Sequence, residues 1–232
     1  METLQNGFTL RLCEGAFPLS TDSIALADFA KLPKNARVLD LGAGCGTIGL
    51  MLCAKDETCS VVGVEIDENA HKTAIVNCAD NHITDRYSSI CADIRAIPDL
   101  VKPGSFHVCI SNPPYFTGGF QSKTAAVARQ ECLCTLETLF SSAAWALRYG
   151  GDFFLVHKPE RLSEICALGS KYTLEPKRLR LLRHRQDGPV SLILVQCRKG
   201  GKPGLIWEEE SLHDHCGNIT DYYRSIYHIQ EV

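Results

Sequence analysis

The run Asn112-Pro113-Pro114-Tyr115 sets an amide, two rigid imides and a phenol at the end of the apolar stretch Phe106 to Ile110. Pro114 pushes Pro113 into an extended conformation, and the Pro113 ring fixes its own φ, so a backbone carbonyl is aimed outward from a strand end. With the side-chain oxygen of Asn112 it offers two acceptors to the two hydrogens of a planar NH₂ group. Tyr115 supplies a ring to stack on the π-system that carries that group. An amino nitrogen conjugated in this way is a poor nucleophile until its lone pair is localised. Two fixed acceptors localise the pair and point it, which suits in-line displacement helped by orientation and electrostatics, with no strong base and no covalent enzyme intermediate.

A second group of residues reads as a ligand cradle. The chain from Asp40 to Gly49 is Asp-Leu-Gly-Ala-Gly-Cys-Gly-Thr-Ile-Gly, where glycines allow close backbone approach and the start of a helix presents free N–H groups. Gly44 to Gly49 also spells the GxGxxG of dinucleotide-binding proteins, with Glu65 about 20 residues on. Asp40, ahead of the glycines, would be unwelcome beside a pyrophosphate and helpful beside a cationic or amino-bearing ligand. An acidic strand end, a glycine loop and Glu65 to accept two ribose hydroxyls suit S-adenosyl-L-methionine, which has no phosphate, and Asp93 would accept from its adenine amino group.

The elements that must position these groups follow from apolar runs alternating with segments of helical spacing, the pattern of an α/β protein with a mainly parallel sheet. Val38–Leu41, Val61–Glu65, Ser89–Cys91, Phe106–Ile110 and Asp152–His157 read as strands, Thr47 to Lys55 and the segment carrying Ala70, Ala74 and Cys78 as helices. Thr135 caps a helix whose apolar residues follow the 3, 4, 7 rule up to a stop at Gly150-Gly151. Arg178 to Arg183 and Val190 to Cys197 form an antiparallel hairpin turning at Asp187-Gly188-Pro189. The tail residues Ile219, Tyr222, Tyr223, Ile226 and Tyr227 read as a packing helix. One domain is expected, with a lead segment 1–34, a core 35–200 and a tail 201–232.

Composition sets limits on partners. A chain of 232 residues that is 45% hydrophobic can bury about 70% or more of its unfolded surface. No stretch approaches the roughly 18 apolar residues of a membrane span, and Met1 to Gln5 lacks the basic start of a signal peptide, so a cytoplasmic protein is expected. Cys91, Cys109 and Cys197 fall in or beside apolar runs as reduced, small hydrophobes. The run His213-Asp214-His215-Cys216 has poor spacing for a metal cage and reads as a solvated turn; no metal is expected. A net charge of only −3 confines any nucleic-acid footprint to a local patch.

Taken together, the stretches STDSIALADFA (Ser20 to Ala30), VLDLGAGCGTIGLML (Val38 to Leu52), GVEIDENA (Gly63 to Ala70), ISNPPYF, ARQE (Ala128 to Glu131), PKRLRLL (Pro176 to Leu182) and KGGKPGL (Lys199 to Leu205) resemble the class I methyltransferases, and among them the bacterial tRNA-valine adenine-N6 methyltransferases. Gln130 stands where that family would carry His, and Asp221 where it would carry Glu. The resemblance implies a Rossmann-like, mainly parallel seven-stranded sheet with an antiparallel C-terminal hairpin and helices on both faces. It implies that Asp22, Asp40, Gly42, Gly44, Gly46, Glu65, Ile66, Asp93 and Asn112 bind S-adenosyl-L-methionine, and that Asn112, Pro113, Pro114 and Tyr115 hold an adenine of tRNA, adenine 37 beside the anticodon. Lys177, Arg178 and Arg180 on the first hairpin arm, with Lys123 and Arg129 in the polar loop Thr117 to Gln130, would contact the RNA. Two other functions fit parts of the pattern: methylation of a glutamine amide in a protein such as a release factor, and a non-catalytic RNA-binding factor on the same scaffold.

Overall fold

The computed structural model describes residues 1–16, 18–115 and 135–229. A short antiparallel pair, β1 (Glu2–Thr3) and β2 (Thr9–Leu10), precedes a central eight-stranded sheet of strands β3 (Arg37–Leu41), β4 (Ser60–Glu65), β5 (Tyr87–Cys91), β6 (Phe106–Ser111), β7 (Leu147–His157), β8 (Leu174–Arg185), β9 (Val190–Lys199) and β10 (Ile206–His213). They lie in the order β10-β8-β9-β7-β6-β3-β4-β5. From β7 to β5 neighbouring strands are parallel, β9 is antiparallel to both β7 and β8, and β10 lies parallel on the outside of β8. The helices are α1 (Thr21–Phe29), α2 (Thr47–Lys55), α3 (Glu68–Asp80), α4 (Ile97–Leu100), α5 (Leu136–Ala146), α6 (Leu162–Lys171) and α7 (Asp221–Ile226).

Period-two alternation along the buried strands separates two apolar layers. On one face Val38, Val108, Ile110, Phe154 and Val156 pack with residues of α1 and α2, such as Phe29, Leu50 and Leu52. On the other, Leu39, Leu41, Cys109 and Phe153 pack with Leu139 and Phe140 of α5. The lead segment is tied to α3 by two amides that imitate a neighbouring strand: Asn81 exchanges hydrogen bonds of 2.7 Å with the Thr9 backbone, and Asn77 does the same with Arg11 at 2.8 and 3.0 Å.

Three expectations are corrected. The sheet has eight strands, not seven, because Ile206–His213 of the expected tail joins it. The triplet Glu208-Glu209-Glu210 disguised that strand, and an edge position accommodates such charges. Helix α5 ends at Ala146, well before Gly150-Gly151, and the two glycines instead sit inside β7, where Phe106 pairs with Leu147 but Val108 with Asp152, so the intervening residues loop out as a bulge. Cys109 and Cys197 are fully buried thiols, whereas Cys91, on the edge strand β5, is exposed. The His213 to Cys216 region is a turn closed by Asp214 Oδ1, which accepts from the amides of Cys216 at 2.8 Å and Asn218 at 2.9 Å.

The last glycine of the loop has a packing reason. A Cβ on Gly49 would lie 2.1 Å from Cε2 of the buried Tyr87, and one on Gly63 would lie 2.5 Å from its phenol oxygen. Gly49→Ala therefore overpacks the α2–sheet interface and is expected to cost about 1–3 kcal/mol, a fall in Tm of roughly 3–10 °C for a chain of this size. Thermal melts check it. A double variant with Tyr87→Leu should recover part of the loss, because the two sites share one contact.

Candidate active site

Strand order reverses at β3, which has β4 on one side and β6 on the other, and ligands bind open α/β sheets beyond the carboxyl ends of strands at such a point. The glycine loop, Glu65, Asp93, Asn112 to Tyr115 and Lys158 all follow the carboxyl ends of β3 to β7 there. On one side of this cleft, the loop after β3 is fixed by its own amides: Gly42 and Ala43 donate to Val64 O at 2.9 and 3.1 Å, and Gly44 donates to Glu65 Oε2 at 2.8 Å. Gly42 and Gly44 have φ of 76° and 56°, and a Cβ on either would project into open space with no atom within 4 Å. Glycine is required here by backbone conformation, and the room beside it is a cradle. Gly46, also left-handed, starts α2.

Glu65 Oε1 accepts from the Asp67 amide at 2.8 Å, so each carboxylate oxygen is oriented by one backbone donor and keeps a lone pair for a diol. Ile66 next to it is an exposed apolar side chain. Asp93 caps the turn after β5: Oδ1 accepts from Arg95 N at 2.8 Å, and Oδ2 pairs with the Arg95 guanidinium. Asp40 lies opposite Gly63 and Ile110, shares its sheet face with Val38, and is completely buried; its oxygens make no hydrogen bond of regular geometry among the described residues, and the Gly49 amide gives the carboxylate only weak support. Burial, and then the charge of Glu65, push its pKa up to about 7. This buried, weakly supported acid and the open glycine cradle fit a cationic ligand seated over the loop.

On the other side of the cleft, Ser111 ties β6 to β3 through Leu41 O at 2.7 Å. The Asn112 amide nitrogen donates to Ser23 Oγ at 2.9 Å, and the Tyr115 hydroxyl donates to Asp22 Oδ2. Burial and the neighbouring Asp22 carboxylate push the Tyr115 pKa far above its ordinary value, so the phenol keeps its proton. The ring meets His157 edge-on at 5.3 Å, and Lys158 Nζ lies 4.8 Å from its centroid. His157 accepts from the Lys158 amide at 2.8 Å, and burial lowers its pKa to about 4, so it stays neutral.

The structure thus places Asp22 on Tyr115. Ser23, His157 and Lys158 were missed from the sequence; the one signal, for Ser23, was that STDS begins a capped helix. Lys123 and Arg129 lie outside the described residues, as does the whole loop Thr117 to Gln130. Lys177 is half-buried, its ammonium donating to Lys202 O at 2.9 Å past the end of β9, at the edge of the sheet opposite the cleft, so the expected RNA contact there is corrected.

The expected RNA-facing pair Arg178 and Arg180 is corrected. They do share one face at period two, but that face lies under α1 and α7. Arg178 is 8% exposed; it pairs with Glu208 at 3.0 Å, bonds Gln196 at 3.2 Å and stacks on Phe29. Arg180 bridges Glu208 at 2.8 Å and Asp28 at 3.1 Å. Both cations are held by internal partners that join β8, β10 and α1.

The sheet order and the two-part cleft define a Rossmann-like class I methyltransferase fold. A family model described as the methyltransferase small domain matches residues 21–166, and the chain belongs to that family. The chain is 28% identical over 182 residues to a tRNA1(Val) (adenine(37)-N6)-methyltransferase of Photobacterium profundum, covering 77% of this chain and 76% of the relative. It is 27% identical over 225 residues to a protein of the same name from Bacteroides fragilis, covering 95% and 94%. Among solved structures, a predicted O-methyltransferase from Agrobacterium tumefaciens superposes with a TM-score of 0.74 at 21% identity, over 90% of this chain and 96% of that one. A geranyl diphosphate methyltransferase in complex with SAM gives 0.55 at 13% identity, over 76% and 84%.

Proposed function

We propose that this protein transfers the methyl group of S-adenosyl-L-methionine to the exocyclic N6 amino group of an adenine in tRNA, adenine 37 beside the anticodon, in the cytoplasm. The observation that carries the reading is the Asn112 amide, fixed through its nitrogen by Ser23 beside the glycine cradle, on a chain whose near full-length relative bears that name.

When bound, the cofactor supplies an electrophilic sulfonium methyl. Gly42, Gly44 and Gly46 form the cradle, Glu65 accepts from the ribose hydroxyls, Ile66 offers an apolar surface to the adenine, Asp93 uses its remaining lone pairs on the adenine amino group, and Asp40 contributes negative potential from beneath the loop. Asn112 Oδ1 and the Pro113 carbonyl take the two hydrogens of the target amino group, and Tyr115 packs on the base. An anticodon-loop adenine already sits in a single-stranded bend, so turning it into the cleft costs little unstacking. Lys123 and Arg129 supply phosphate contacts.

Two measurements test this. Calorimetry should show cofactor binding that Gly44→Val weakens more than tenfold, since a β-branched residue at that φ both strains the loop and fills the cradle. Circular dichroism should show the fold retained. Label from the cofactor should then enter unmodified bulk tRNA. Unchanged affinity in the folded variant would overturn the cofactor site, and an RNA fraction free of label would overturn the substrate.

A further inference from the structure

The first turn of α1 belongs to neither the cradle nor the acceptor motif, yet it touches both Asn112 and Tyr115. Asn112 carries a donor end and an acceptor end, and which of them faces the substrate decides what the cleft can hold. Its nitrogen lies 2.9 Å from Ser23 Oγ, and Ser23 is itself 9% exposed. Its oxygen lies 3.4 Å from the Tyr115 hydroxyl, which has a single proton. That proton goes to Asp22 Oδ2. The carboxylate is the stronger acceptor, and the hydrogen bond to a charged group is the shorter and stronger of the two. The Asn112 oxygen is thereby spared.

We propose that Ser23 and Asp22 are positioning residues that set the polarity of the acceptor cleft: Ser23 holds the Asn112 amide nitrogen away from the substrate, and Asp22 draws off the Tyr115 proton. Asn112 Oδ1 then keeps its lone pairs for an amino group. The consequence is specificity for an amino-bearing base over an oxo-bearing one. A cleft with the amide reversed would set NH₂ against NH₂, and would prefer a base with a carbonyl at the same position. Leaving a buried polar group unpaired is what gives hydrogen-bonding sites their strong discrimination. The proposal rests on the assignment of this cleft to amino-group methylation.

The test compares wild type, Ser23→Ala, Ser23→Thr and Asp22→Leu on tRNA carrying adenosine or inosine at the target position. At saturating cofactor, Ser23→Ala is expected to lower kcat about 10–30-fold, with KM for the cofactor and Kd for adenosine tRNA changed by no more than about twofold. Ser23→Thr, which keeps the hydroxyl, should recover most of the rate. Asp22→Leu should behave like Ser23→Ala.

Equilibrium binding gives a readout apart from turnover. Wild type should prefer adenosine over inosine tRNA, and both Ser23→Ala and Asp22→Leu should narrow that preference at least threefold. Three results would overturn the proposal: wild-type kcat in Ser23→Ala, an unaltered adenosine preference in both variants, or an Asp22→Leu defect confined to cofactor affinity. If wild type itself places no methyl on the adenosine substrate, the assignment of the cleft fails, and the proposal with it.

Discussion

Asn112→Ala and Tyr115→Ala are expected to slow methyl transfer by about 10² or more while cofactor affinity stays within a few-fold. Asn112 supplies one of the two acceptors that localise the amino lone pair, and its amide is fixed from behind by Ser23 at 2.9 Å. Tyr115 is clasped by Asp22, His157 and Lys158, so its ring is placed before any substrate arrives. Removing either group takes away an interaction that matters most as the nitrogen becomes tetrahedral, so the loss falls on kcat rather than on binding. Single-turnover kinetics at saturating cofactor and tRNA reads this directly. Near-wild-type rates in both variants would reduce the two prolines to a turn at a strand end.

Asp40→Asn is expected to make the ligand-free protein more stable at neutral and alkaline pH. The folded state raises the carboxyl from its ordinary 3.8 to about 7, so the folded protein holds a proton that the unfolded chain releases. This contribution to stability is fully present below about pH 4 and is lost as pH rises through 7, amounting to roughly 4 kcal/mol once both states are ionised. The amide does not titrate. Its advantage over wild type should therefore grow between pH 4 and pH 7 and level off above, while the affinity for a cationic ligand falls because the negative potential under the glycine loop is gone. Melting curves across that pH range check the first half, and calorimetry the second. Parallel pH profiles for the two proteins would mean that Asp40 carries no raised pKa. Stability given up at a functional position in this way is a common trade.

Much of this architecture was legible because local pattern and tertiary demand agree. Thr47 to Lys55 reads as a helix and forms α2 over those residues, and the apolar runs from Val38, Val61 and Phe106 become the three central parallel strands. The glycine loop and the proline pair were legible for the same reason, since their backbone requirements are written in residue type. Partners distant in sequence were not. Arg178 and Arg180 have the spacing of an exposed basic stripe, and nothing local reveals that Glu208, 30 residues on, returns as β10 to neutralise them. Glu208 to Glu210 conceal that strand just as effectively. Ser23 precedes Asn112 by 89 residues, and their hydrogen bond exists only because α1 packs on the sheet face with its first turn at the carboxyl end of β6. Gly150-Gly151 shows the opposite failure, a true local signal read too simply: the glycines break a regular pattern, but the pattern they break is a strand.

The most direct measurement takes unmodified tRNA and, separately, a release factor, incubates each with the purified protein and labelled S-adenosyl-L-methionine, and maps the product by mass spectrometry. N6-methyladenosine at position 37 of the tRNA, with an unlabelled release factor, is the predicted result. Methylglutamine in the release factor with no modified adenosine in the tRNA would contradict it.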